Sequence, residues 1–164
     1  MTGFEIRRVA FEKHAVREWG KKDQRHRNWP VVYVIDAAGK RRQTKKFVDV
    51  YVGETVNAES RILQHLGTPG KRQLSTVHVV LDDTYNKSAC LDLESHLVRL
   101  LAGDGTYRVL NGNDGVIDAD YYDRDTYRES FRDVFERLRD EGIFTRSIPE
   151  IENSDCSNCH HSKR

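Results

Sequence analysis

The chain has 164 residues, of which 37% are hydrophobic, 32% charged and 9% aromatic, enough for one compact domain, too few for two, and too rich in aromatics for a disordered chain. Its longest apolar run, Trp29 to Ile35, covers seven residues and contains Pro30, well short of the ~18 needed to cross a bilayer. The net charge of +1 hides a split, because residues 1–74 carry 16 Lys and Arg against 8 Asp and Glu, a net of +8, while residues 75–164 carry 11 against 18, a net of −7. That asymmetry points to a polyanion partner for the front half, or else to a set of solvated basic loops.

Residues 4–19 have a loose helical pattern (Phe4, Val9, Phe11, Val16, Trp19), broken by the turn-rich basic stretch after Gly20. The runs WPVVYVID, from Trp29, and KFVDVYVG, from Lys46, are β-branched and aromatic and are joined by a charged connection with Gly39 near its start, which predicts an antiparallel pair with a long loop. Thr55 is the predicted cap of a helix from Val56 to Leu66, stopped by Gly67 and Pro69. The stretch from Thr76 to Leu81 alternates as a third strand with Val77, Val79 and Leu81 on one face. Ser88 is the predicted cap of a longer helix from Ala89 to Ala102, closed by Gly103. A loop rich in Gly and Asn, from Asp104 to Gly115, leads to a third helix over about 125–141 with Tyr127, Phe131, Val134, Phe135 and Leu138 as its apolar stripe and Gly142 as its stop. The order ββαβαα predicts an α+β domain, a small three-stranded antiparallel sheet flanked by helices. Residues 29–115 form its core, 1–28 a helical and basic N-terminal extension, 116–148 a helical C-terminal extension and 149–164 an unstructured tail.

The residue most suggestive of chemistry is Glu94, whose helical neighbours three and four positions away are Cys90, Leu91, Leu97 and Val98, so that its carboxylate projects along the inward face. Burial of an unpaired charge is costly, so this position calls for a metal ion, an Arg or several hydrogen bonds. On the preceding helix Arg61 and His65 are four apart and share one face, a cation beside a possible proton acceptor. Tyr33 lies mid-strand and Tyr51 sits near the end of the next strand, where paired strands can bring them side by side, although a mid-strand Tyr is also an ordinary core residue.

Taken in order, VVYVI, YVGET, a helix with Arg61 and His65, a helix with Glu94 and a following Asn resemble the GIY-YIG nuclease family over residues 29–115, with Val31-Val32-Tyr33 standing for GIY and Tyr51-Val52-Gly53 for YIG. A more extended resemblance, carried by NWPVVYVI, YVGETVNAESRILQHL, NKSACLDLESHLVRLLAGDGTYRVLNGNDG and SIPEIENSD, is to the GIY-YIG domain that precedes a Schlafen-like P-loop helicase domain in bacterial proteins. No GxxxxGK[ST] is present to supply the helicase, which makes the chain a free-standing nuclease domain or a truncated one, with a helicase or other DNA-processing protein as a possible partner. The resemblance implies cleavage of DNA with one Mg²⁺ or Mn²⁺ held by Glu94, Tyr33 as general base, Arg61 lowering the phenol's pKa and stabilising the phosphoryl transition state, His65 accepting or relaying the proton, and Tyr51 and an Asn orienting their neighbours. Asn111 and Asn113 both fit that last position, and Asn111, directly after Val109 and Leu110, fits better. The alternative is a non-catalytic nucleic-acid-binding or regulatory module that has kept the fold.

Two departures from the family stand out. The 18-position interval from Tyr33 to Tyr51 leaves room for a basic insertion in which Arg41, Arg42, Lys45 and Lys46 could touch the DNA backbone. Glu54 follows YVG where several relatives have Lys or a small residue. At the C-terminus Cys156-Ser-Asn-Cys159-His160, with His161, matches a haem-attachment pattern and offers zinc-type ligands, but lacks a second ligand pair. Seven charges in the first twenty residues leave no apolar core for a signal peptide, and three cysteines cannot all pair, so the chain reads as cytoplasmic.

Overall fold

The computed structural model describes residues 3–38, 46–111 and 119–153. Along the chain run β1 (Glu5–Ala10), α1 (Lys13–Lys22), a 3-10 turn (Gln24–His26), β2 (Val31–Asp36), β3 (Val48–Thr55), α2 (Ala58–Leu66), a second 3-10 turn (Pro69–Lys71), β4 (Thr76–Leu81), α3 (Lys87–Asp104), β5 (Tyr107–Val109) and α4 (Arg124–Asp140). The strands make one sheet in the order β1-β4-β2-β3-β5, antiparallel except for the parallel pairing of β3 with β5. The α+β class is as expected, but the sheet is mixed and five-stranded rather than antiparallel and three-stranded.

Both additional strands lie at the edges, and each evaded the sequence for a physical reason. β1 carries Glu5, Arg7 and Arg8, charges that suit an edge strand facing water but blur its alternation. It belongs to the domain, since all six of its residues pair with β4, so residues 1–28 are more than an appended helical extension. β5 has three residues and pairs with β3, more than fifty positions earlier, a non-local contact that leaves no local period to read. At the centre of the sheet, β2 is buried at all six positions, which explains why VVYVI is a continuous run and not an alternation. Its neighbour β4 is buried from Val77 to Leu81, so the expected one-sided face of Val77, Val79 and Leu81 is matched by a buried opposite face carrying His78 and Val80.

The helix ends differ by one or two residues from expectation because Asn outcompetes the hydroxyl caps. Asn57 caps α2 by accepting from the Ser60 amide at 3.0 Å, while Thr55 Oγ1 accepts from the Asn57 amide at 3.0 Å. Asn86, not Ser88, caps α3 through the Ala89 amide at 2.9 Å. That helix runs through Gly103, where a Cβ would press on Ile151, and ends at Gly105 with φ 87°. Ile151 is buried within a short helix over 148–153, so ordered chain reaches into the span expected to be unstructured from residue 149.

Three packing arrangements set the frame for the site. α1 approaches α2 closely because Gly20 lies under the Glu59 carboxylate, and a Cβ at Gly20 would collide with it. α3 packs on β2, β3 and β5 and carries α4 on its outer side. Asp92 of α3, buried, accepts from Arg128 Nε and Nη2 at 2.9 and 3.0 Å and from the Tyr121 hydroxyl at 2.7 Å, which anchors α4.

Candidate functional site

The register of β2 on β3 sets Tyr33 opposite Gly53 and Ile35 opposite Tyr51. Because side chains alternate along a strand, Tyr33, Tyr51 and Gly53 share one face of the sheet. The fully buried Tyr33 ring crosses directly over Gly53, and a Cβ there would collide with the ring and its hydroxyl. The Tyr of the first motif and the Gly of the second are therefore two halves of one packing contact.

Helix α2 delivers His65 to the same face. Tyr33 Oη and His65 Nε2 are 2.7 Å apart in a buried hydrogen bond, and the His65 ring centroid lies 4.6 Å from that of Tyr51 and 5.6 Å from that of Tyr33. One turn earlier, Arg61 is exposed, donates from Nη1 to Gln64 Oε1 at 2.8 Å, and lies near enough to the Tyr33 and Tyr51 phenols for them to strengthen its hold on its proton, Tyr33 most of all. The nearby positive charge of Arg61 favours the Tyr33 lone pairs turned toward it, which suits a hydroxyl proton directed at His65 Nε2. With His65 neutral, a proton on Nδ1 leaves Nε2 to accept from the Tyr33 hydroxyl.

Electrostatics agree with that assignment and correct one expectation. Burial first, then the charges of Lys71 and Arg61, push the His65 pKa down to about 4, leaving the imidazole neutral and able to accept. Tyr33 was expected to become easier to ionise beside Arg61. Arg61 does pull its pKa down, but burial, Tyr51 and the charge of Glu94 outweigh it, and the phenol sits well above the ordinary tyrosine value.

The other expected residues fall into place unevenly. Glu94, half-buried on α3, is close enough to Tyr33 to oppose its ionisation; burial and then Glu54 raise its own pKa to about 7, against the pull of Lys87 and the Glu54 backbone amide. Glu54 in turn is held by Lys87 Nζ at 2.6 and 2.8 Å. Among the described residues no group of three or more His, Cys, Asp or Glu is placed to hold a metal ion. The donors on offer to a cation are carboxylate oxygens, Glu94 with Glu54 nearby, a set that suits a hard ion keeping most of its water. Asn111 is not in the Tyr cluster; its amide accepts from the Val52 amide at 3.1 Å and donates to the Val52 carbonyl at 2.6 Å. It extends the β5 pairing by one peptide-like step and fixes the backbone between Tyr51 and Gly53.

Of the basic insertion, Lys46 is exposed with its ammonium 5.3 Å over the Phe47 ring; Arg41, Arg42 and Lys45 lie outside the described residues, as do Asn113 and the Cys156–His161 ligand cluster. Two features escaped the sequence. Lys71, in the turn after α2, places its ammonium 4.5 Å from the Tyr51 ring centroid, yet a Lys in a Thr-Pro-Gly turn reads as solvated. His78, which has no partner at an informative spacing in the sequence, is buried with Nε2 2.7 Å from Asp36 Oδ2 and Nδ1 3.1 Å from Glu141 Oε1; alternate positions on neighbouring strands give no linear signal for such a contact. No family model matches the chain, no curated protein matches it and no solved structure matches it.

Proposed function

We propose that the chain is a divalent-metal-dependent endonuclease of GIY-YIG type that hydrolyses DNA phosphodiester bonds. The observation that carries this reading is the Tyr33 hydroxyl, 2.7 Å from the Nε2 of a buried, neutral histidine and close to the charge of Arg61. That geometry gives a proton somewhere to go. As water attacks phosphorus, its proton passes to the Tyr33 oxygen while the Tyr33 proton passes to His65 Nε2, so the phenol never has to exist as a free phenolate, which its burial opposes. The phosphorus–oxygen bond to the leaving 3′ oxygen breaks, and solvent protonates that oxygen. Arg61 faces the negative charge gathering on the phosphoryl group, and Tyr51 and Asn111 fix the wall against which it forms. A Mg²⁺ or Mn²⁺ held through Glu94, with waters completing its shell, would supply charge neutralisation at the phosphate and at the leaving oxygen.

The rival reading is a non-catalytic DNA-binding module of the same fold, favoured by the burial that makes Tyr33 hard to ionise. Incubation with supercoiled plasmid, single strands and branched duplexes, in Mg²⁺, Mn²⁺ or EDTA, separates the two. The endonuclease reading expects nicks with either metal and none in EDTA. It also expects Glu94→Gln, nearly isosteric but a weaker ligand, to lose at least about 100-fold in rate with an unchanged circular dichroism spectrum. Nicking by Glu94→Gln at the wild-type rate would contradict it, and a wild type that binds DNA without cutting in any metal would establish the module.

A further inference from the structure

We propose that Lys71 and Arg61 are the two arms of a clamp for the DNA phosphodiester, with the Lys71 ammonium leaving the Tyr51 ring for a non-bridging phosphate oxygen when DNA arrives. The inference rests on the reading of this site as one that binds DNA, and it adds a residue and a trigger to it.

The position of Lys71 is fixed by its backbone. Its amide donates to the Thr68 carbonyl at 3.0 Å, its carbonyl accepts from the Leu74 amide at 3.2 Å, and Leu74 is fully buried. The side chain has no such anchor. Its ammonium rests 4.5 Å from the Tyr51 ring centroid, a weak contact compared with a charge-assisted hydrogen bond to a phosphate oxygen. Among the described residues neither Lys71 nor Arg61 is ion-paired with a carboxylate. The contrast with other cations is plain: Arg25 pairs with Asp23 and Asp83, Lys87 with Glu54, Arg108 with Asp49 and Arg128 with Asp92. At this face Arg61 lies close enough to Lys71 to weaken its hold on its proton, after burial itself. Like charges brought together without counter-ions form a ready site for an anion.

The arrangement also links binding to chemistry. The groups facing His65 are Tyr33 from β2, Tyr51 from β3, Arg61 on its own helix and Lys71 from the turn. Both cations make His65 a poorer proton acceptor. A phosphodiester between them offsets both, so the imidazole becomes a better acceptor for the Tyr33 proton when substrate is in place.

The test uses Lys71→Met, which keeps the stem and the ring contact but removes the charge, and Lys71→Arg, which keeps the charge. Binding of a labelled duplex in EDTA is measured across a salt series, and the His65 ring is titrated by NMR. The clamp predicts that Lys71→Met binds about tenfold more weakly with a log–log salt slope smaller by ~0.9, while Lys71→Arg stays within about threefold of wild type. It further predicts that the His65 titration moves upward in free Lys71→Met, and in wild type when duplex is added. Unchanged affinity and slope in Lys71→Met, or a His65 titration that ignores added duplex, would overturn it. Should wild type fail to nick plasmid while Lys71→Met still flattens the salt slope, the endonuclease reading falls and the clamp stands; nicking by wild type with Lys71→Met indistinguishable from it has the reverse meaning.

Discussion

Two buried histidines lie against opposite faces of one sheet, and their surroundings are near mirror images. His78 on β4 sits between two carboxylates, Asp36 at 2.7 Å and Glu141 at 3.1 Å, with Asp36 further held by the Ala38 amide at 2.9 Å. Both ring nitrogens face carboxylate oxygens. His65 on α2 faces a phenol and two cations, with no carboxylate ion-paired to either cation among the described residues. The first cluster is closed, with each polar atom answered from within the fold and the C-terminal end of α4 pinned to the sheet. The second is left with excess positive charge, which on the proposed reading a phosphodiester answers. Polarity and burial are common to both; the difference lies in whether the charges are answered by the chain itself.

The comparison predicts opposite consequences for the two sites. The largest effect on stability belongs to the closed cluster. His78→Leu leaves Asp36 and Glu141 facing an apolar side chain without their shared hydrogen-bond partner, and it should cost about 1–3 kcal/mol for each of the two groups in urea unfolding while the folded fraction nicks DNA as wild type does. A loss of cleavage beyond the loss of folded protein would show that the closed cluster serves the reaction as well.

A smaller and pH-dependent effect belongs to His65. Its folded pKa, about 4, lies below the ~6.5 of an unfolded histidine. The unfolded chain therefore binds the extra proton between those values, and His65 lowers stability as pH falls through that window, with no further loss below about pH 4. At about 1.4 kcal/mol per pH unit across the window the ceiling is about 3 kcal/mol. Thermal melts of wild type and His65→Gln from neutral to acidic pH should show a shallower decline in the variant. Parallel curves would mean that His65 is not held neutral by its surroundings.

Much of this was readable from the chain, and the misses have a pattern. The β2–β3 pair, the helix carrying Arg61 and His65, and the helix carrying Glu94 follow from local periods and breakers, and these elements bring Tyr33, Tyr51 and His65 together. Edge strands β1 and β5 were hidden, one by charges that suit an edge and one by shortness and non-local pairing. Lys71 was hidden because its role depends on a turn folding back over Tyr51. The direction of the Tyr33 shift was misjudged because a guanidinium beside a phenol can be inferred from order along the chain, whereas the burial that opposes it requires the packed sheet. The position of Asn111 suggests an orienting role in the site, whereas its amide completes a strand ladder, a contact no linear spacing reveals.

The central claim is that the Tyr33 hydroxyl lies on the path of the proton, and Tyr33→Phe tests it most directly because it removes one oxygen while keeping the ring over Gly53. Plasmid nicking in Mg²⁺ by wild type and Tyr33→Phe, at matched folded concentration and saturating DNA, should differ by at least about 100-fold, the usual scale for loss of a general base, with duplex affinity nearly unchanged. A Tyr33→Phe protein that nicks at the wild-type rate would contradict the account.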